Sequence, residues 1–128
     1  MKSNLYSYLK LLLCLFSVIT AADSFAQNTI KTNPLPTNDL CAGSTINVIY
    51  SITGIYNAGN TFTAQLSDSQ GSFANPINIG SVSATDSTPI IAAIPNVIIG
   101  DRFRIRVVSS SPEVIGSDNG ADIYIVVP

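Results

Sequence analysis

Arg102, Arg104 and Arg106 stand at alternating positions in one stretch and form the densest cluster of functional groups in the sequence. A guanidinium offers a rigid fork of donors, so a row of three could grip an acidic glycan or the carboxylates of a partner protein. A plainer reading is a solvated outer face, with each arginine paired across strands to acids or threonines and discouraging edge-to-edge association. The plainer reading is preferred, because such surface pairs are common and contribute only ~0–1 kcal/mol each. Tyr56 and Phe73 fall in loops and are the aromatic side chains available to flank that face as a sugar platform. Tyr50, Phe62 and Phe103 read as core and tryptophan is absent, which argues against a dedicated carbohydrate-binding surface.

Asp118, Asn119 and Asp122, with Asp101 as a further donor, could supply oxygens to calcium, a hard cation that favours loop acids and backbone carbonyls. Their spacing matches no standard calcium loop, and Asn119-Gly120 reads more simply as a turn requiring positive φ. No metal and no cofactor are therefore expected. Histidine is absent, which removes the commonest general base and excludes Ser/His and Cys/His nucleophiles. The acids form no convincing strand-end pair for glycoside hydrolysis, and no glycine-rich phosphate cradle is present. The chain reads as non-enzymatic.

Residues 1–26 read as a signal peptide. Lys2 and Lys10 precede an apolar run, Leu11–Ala22, and Ser24-Phe25-Ala26 supplies small residues at the cleavage positions. The run is well short of the ~20 residues that cross a bilayer, and the Leu11-Leu12-Leu13 before Cys14 does not suit a lipoprotein. Cleavage would leave Gln27 as the N-terminus of an exported chain, extracellular or at the cell surface, with no membrane span. That chain carries Lys31, Arg102, Arg104 and Arg106 against Asp39, Asp68, Asp86, Asp101, Glu113, Asp118 and Asp122, a net charge of −3. A mildly acidic domain with one basic strand has no nucleic-acid footprint. Cys41 is the one cysteine left, and we expect it as a buried thiol acting as a small hydrophobe; the alternative is a disulfide to another chain.

Period-2 alternation predicts strands throughout. Thr29–Thr32 is a possible edge strand within an N-terminal segment, residues 27–40, that Pro34 and Pro36 interrupt. Ser44–Thr53 follows the turn Asp39–Gly43, with Ile46, Val48, Tyr50 and Ile52 on one face. Thr61–Ser67 places Phe62, Ala64 and Leu66 inward, and Asp68–Gly71 is a turn by composition. Pro76–Val82 pairs Ile77 with Ile79 and has Gly80 at a bulge; Pro89–Ile94 holds Ile90, Ala92 and Ile94 in phase. The arginine strand spans about 101–109, with Phe103, Ile105 and Val107 opposite the arginines. Ser110–Gly120 reads as a loop and Asp122–Val127 as the last strand. Helix is expected to be nearly absent, and six or seven strands in about 100 residues predict an all-β, immunoglobulin-like antiparallel sandwich over residues 41–128, a small barrel or jelly roll being the alternative. The usual pins of that fold, a tryptophan and an inter-strand cysteine pair, are missing.

Several phrases carry a resemblance beyond pattern. Cys41-Ala42-Gly43-Ser44-Thr45-Ile46, Asn57–Asp68 and Gly71-Ser72-Phe73 occur in order, followed by Ile79-Gly80, Ile94-Pro95, Arg104–Ser110 and Gly116–Gly120. This series resembles the immunoglobulin-like modules of secreted and cell-surface proteins of Bacteroidota, over roughly residues 40–125. The resemblance implies a non-catalytic module that recurs in long exported chains and contacts neighbouring domains or surface proteins. Such chains often end in a sorting domain, whereas this sequence stops after its last strand, as a fragment or a stand-alone relative would. The leading expectation is a cell-surface spacer or adhesion unit. The alternatives are a glycan-binding domain using Tyr56, Phe73 and the arginine face, and a self-assembling subunit that adds strands across exposed edges.

Overall fold

β-Branched residues alternating with small polar ones favour extended backbone, and the described residues follow that preference in eleven strands. The computed structural model describes residues 26–96 and 98–128, so the expected signal peptide lies outside the described residues except for Ala26. Among the described residues there are eleven strands and no helix: β1 (Thr29–Thr32), β2 (Asp39–Cys41), β3 (Thr45–Val48), β4 (Tyr50–Thr53), β5 (Thr61–Leu66), β6 (Ile77–Ser83), β7 (Ile90–Ala93), β8 (Gly100–Phe103), β9 (Ile105–Ser110), β10 (Glu113–Asp118) and β11 (Ile123–Val126). They form a six-stranded sheet in the order β4-β1-β10-β9-β5-β6, a three-stranded sheet β2-β11-β8 and a two-stranded pair β3-β7. The architecture is an all-β sandwich.

The expected long strands break where they change partners. β3 and β4 are one extended segment interrupted at Ile49, whose carbonyl accepts the Asn33 N–H. Before the break the segment pairs with β7, and after it with β1. β8 and β9 are likewise split at Arg104; β8 pairs with β11, and β9 with β10 and β5. These switches join the sheets at corners, as in sandwiches whose strands pass between layers.

Three segments differ from expectation. Thr29–Thr32 is a strand but not an edge, for it lies between antiparallel β4 and parallel β10. Asp39–Cys41, expected as a turn, is β2 and runs parallel to β11. Ser110–Gly120, expected as a loop, contains β10, hairpinned against β9 with Ser110 opposite Glu113. Pro112 occupies the connection, where no ladder donor is needed. Gly116 falls at a register shift, and a side chain there would collide with the Val107 carbonyl and Ile30. The expected bulge near Gly80 is present: Ala64 pairs with Gly80 and Gln65 with Asn78, leaving Ile79 as the extra residue.

The buried core contains most of the expected inward faces, Val48 and Tyr50, Phe62, Ala64 and Leu66, Ile90, Ala92 and Ile94, and Phe103, Ile105 and Val107, joined by Ile123 and Ile125, with Ile46 and Ile52 half-buried. Ile77, expected to share a face with Ile79, is exposed, because the bulge at Ile79 breaks the alternation between them. Tyr50 and Tyr56 flank Phe62 with ring centroids 5.1 and 5.0 Å away, tilted as the ring quadrupoles prefer.

The backbone of the arginine segment is held largely by side chains from other elements. The Arg104 N–H donates to Ser67 Oγ at 2.7 Å and the Ile105 N–H to Asn119 Oδ1 at 2.9 Å. The Val107 N–H donates to Thr32 Oγ1 at 3.0 Å, and the Ser110 and Ser111 N–H groups both donate to Asn60 Oδ1. Thr32, Asn60, Ser67 and Asn119 are each only 1% exposed. A buried N–H stripped of its acceptor costs about 1–3 kcal/mol, which exceeds the net gain from an average hydrogen bond.

Two stability measurements follow. Ile105→Ala, at a position with no exposure, should lose ~2–5 kcal/mol in denaturant unfolding. Thr32→Val keeps the shape but orphans the Val107 N–H, and should lose about 1–3 kcal/mol. A Thr32→Val loss near zero would mean that the Val107 N–H is satisfied elsewhere.

Candidate functional site

The arginine row lies on the outer side of the β8–β9 segment because its apolar neighbours are drawn into the core. The three arginines do not share one environment. Arg104 Nε donates to Asp122 Oδ1 at 2.8 Å, and Arg104 Nη1 reaches Asp118 Oδ1 at 3.4 Å. The Arg104 pKa is raised, first by the Asp122 hydrogen bond and then by the charges of both acids, with burial acting against them. Arg106 Nε donates to Gln65 Oε1 at 2.9 Å on neighbouring β5, and its guanidinium carbon lies 4.4 Å from the centroid of the Phe73 ring. That stacking is a cation–π contact and covers one face of the half-buried ring. Arg102 is exposed, and among the described residues the ion pairs both belong to Arg104. Two of the three arginines are thus occupied across strands, one by acids and one by an amide and an aromatic ring.

The segment after β5 folds back over this row. Asp68 Oδ1 accepts the Gln70 and Ser72 N–H groups, each at 2.9 Å, and the Gly71 N–H reaches the Asp68 carbonyl. This is the turn that composition predicts. Gly71 sits at φ 81° against the Arg102 carbonyl and the Arg104 side chain, so the turn needs a residue without Cβ there. The turn delivers Phe73 to Arg106.

The other candidates separate. Tyr56, expected in a loop as an exposed platform, is 4% exposed and donates its hydroxyl to the Thr29 carbonyl at 3.0 Å. It is a core residue, because the loop between β4 and β5 turns inward to close one end of the sandwich. Asp118 and Asp122 are committed to Arg104, and Asp118 Oδ1 also accepts the Gly120 N–H at 2.8 Å. Asn119 accepts from Ile105 and donates to the Ala121 carbonyl at 2.7 Å. Its oxygen points into the fold, so the calcium set does not assemble; Gly120, at φ 79°, makes the turn. Asp101 is exposed on β8. Cys41, expected buried, is exposed on β2. Leu40 alternates inward in its place, so the thiol falls on the solvent side.

Sequence reasoning assigned no face to the last strand. In β11 Ile123 and Ile125 are buried, while Tyr124 is 49% and Val126 52% exposed. Ile99, just before β8, is 62% exposed. In Ile123-Tyr124-Ile125-Val126 every residue is apolar, so hydrophobicity alone does not choose the inner face. A groove of about 530 Å³ between Gln27–Ile30 and Pro112–Ile115 is lined by none of the arginines. Among the described residues no three acids, cysteines or histidines come together as a metal site, and no helix is long and apolar enough to cross a membrane. Compared with known proteins, the chain matches no family model, and no curated protein is significantly similar to it.

Tyr50 gives a pH dependence that can be measured. Its hydroxyl is buried with no partner among the described residues, and its pKa is pushed up to about 12 by burial first, then by Asp86 and Tyr56. An unfolded tyrosine ionises near pH ~10. The folded chain therefore keeps a proton that the unfolded chain releases, and the stabilisation, fully present below pH ~10, is lost as the pH climbs toward the folded value. The urea midpoint should fall between about pH 10 and about pH 12, and Tyr50→Phe should remove part of that fall. The remainder belongs partly to Tyr56, whose phenol burial also raises. Arg104→Ala, at a side chain 27% exposed, should cost under ~1 kcal/mol by the same denaturation assay.

Proposed function

We propose that this chain is a non-catalytic, exported immunoglobulin-like module that serves as a structural spacer or adhesion unit at the cell surface. What supports the reading is the pattern of strand neighbours. Taking β1/β2, β3/β4, β5, β6, β7, β8/β9 and β10/β11 as seven successive segments, the first pairs with the second, the second with the fifth, and the third with both the fourth and sixth. The sixth pairs with the seventh. These are the adjacencies of the immunoglobulin sandwich, with the fourth segment in the place of the extra strand of variable-type domains. The chain also pairs its first segment with its seventh in parallel, β1 with β10 and β2 with β11, and the β1–β10 pairing extends the large sheet. The ordered phrases that resemble surface modules of Bacteroidota run through these same segments.

A sandwich whose sixth segment is tied by side chains from Thr32, Asn60, Ser67 and Asn119 is suited to a mechanical role, since these contacts span residues as far apart as 32 and 107. The glycan reading loses its chosen platforms: Tyr56 is inside, and Phe73 lies under Arg106. Neighbouring domains or surface proteins are the partners of this role. The deciding experiment is recovery of the native product from its source, with subcellular fractionation and intact mass. A surface or extracellular product starting at Gln27 is expected; a cytoplasmic product that retains Met1 would overturn the proposal.

A further inference from the structure

We propose that the outer face of the β2-β11-β8 sheet docks a second copy of this chain about a two-fold axis running along β11. The register defines two rows on this face. In one, Cys41 on β2 is level with Val126 on β11, and Ile99 lines a shallow groove with Val126 and Tyr124 on the far side. In the other, Asp39 on β2 is level with Tyr124 on β11. On β8, Phe103 pairs with Ile123 and Gly100 with Ile125, so the bulge between them sets Asp101 and Arg102 opposite Tyr124. All of these side chains except those of the inward partners Phe103, Ile123 and Ile125 are exposed, Gly100 having none.

The choice of a second copy rests on charge and symmetry. Asp39 and Arg102 occupy the same row, each one strand from β11, or about 4.8 Å to either side. Rotation about β11 exchanges the two sides, laying each Arg102, with Asp101 beside it, against the partner's Asp39. Arg102 is the arginine with no acid, amide or ring partner in its own chain among the described residues, Arg104 holding two acids and Arg106 Gln65 and Phe73. The same rotation stacks Val126 on the partner's Val126 and Tyr124 on the partner's Tyr124, and covers Cys41 with the partner's Ile99. An isologous contact of this kind closes at two copies. It places the two thiols on opposite sides of the axis, between sheets ~10 Å apart, beyond the ~4.4–6.8 Å Cα separation of a disulfide. This goes beyond the spacer reading and does not depend on it.

Sedimentation of the purified protein under reducing conditions, between about 10 µM and about 1 mM, is the test, since a patch this small places association at the weak end. A monomer–dimer transition is expected, with Cys41 alkylation slowing in step with the dimer fraction. Val126→Glu should abolish both effects. Arg102→Asp should weaken the dimer about tenfold, and adding Asp39→Arg should restore it. Val126 is 52% exposed and its replacement should leave the fold intact by circular dichroism; should it not, the charge reversal and its rescue carry the test alone. A monomer at every concentration, a dimer indifferent to these variants, or a Cys41–Cys41 linked dimer would each overturn the proposal. So would glycan binding by a monomer that Tyr124→Ala removes, which would make this face a sugar platform.

Discussion

A strand that leaves one sheet to join another strands its own amide hydrogens at the crossing, and in this protein that constraint falls on Arg104 and Ile105, with Val107 and the hairpin residues Ser110 and Ser111 also turning to side-chain acceptors. The Ile105 and Val107 N–H groups are buried and those of Arg104, Ser110 and Ser111 part-buried, where an unmet donor is expensive. Ser67, Asn119, Thr32 and Asn60 supply the missing acceptors. Each comes from a different element, so the crossing segment is bound to the first strand, both sides of β5 and the turn before β11. The four polar residues are buried because the segment needs them, and the apolar packing of Ile105 and Val107 is possible because the backbone beside it is satisfied.

The outer face of that segment is governed by the same geometry. Alternation places arginines outside wherever core residues go inside, and the neighbouring strands then present what the arginines can use. Asp118 and Asp122 bracket Arg104 because the turn at Asn119-Gly120 returns the chain to it, and that turn is held by Asn119 binding Ile105. Gln65 reaches Arg106 because β5 is the adjacent strand, with the two residues in register. The acid pair and the arginine thus form one structural unit with the interior amide bond beneath them. Such exposed contacts add little stability; their effect is to fix side-chain positions and leave only Arg102 open on the row.

The two faces of the molecule consequently differ in character. Over β9 the polar groups are mutually satisfied and one face of the aromatic ring is covered. Over β11 an aromatic ring, two aliphatic side chains, a thiol and an unpaired arginine face outward together. Interaction capacity lies with the second face, because desolvating apolar surface is favourable whereas separating satisfied charges is not.

The alternation in residues 44–53, 61–67, 89–94 and 101–109 determined by itself that the chain is all-β and which side chains are core, since period 2 assigns faces without reference to any partner. It also determined that the Asp68 and Asn119-Gly120 segments turn. Only the tertiary structure decided where strands end, because the breaks at Ile49 and Arg104 come from a change of partner, marked in the sequence only by the apolar Ile49 at an outward position and not at all at Arg104. Tertiary structure likewise made β10 a strand despite Pro112 and Gly116, turned Tyr56 inward to meet the Thr29 carbonyl, and left Cys41 outside by burying Leu40 next to it. It alone chose the outer face of β11, where four apolar residues in succession offer no local preference and pairing with β2 and β8 fixes which side meets the core.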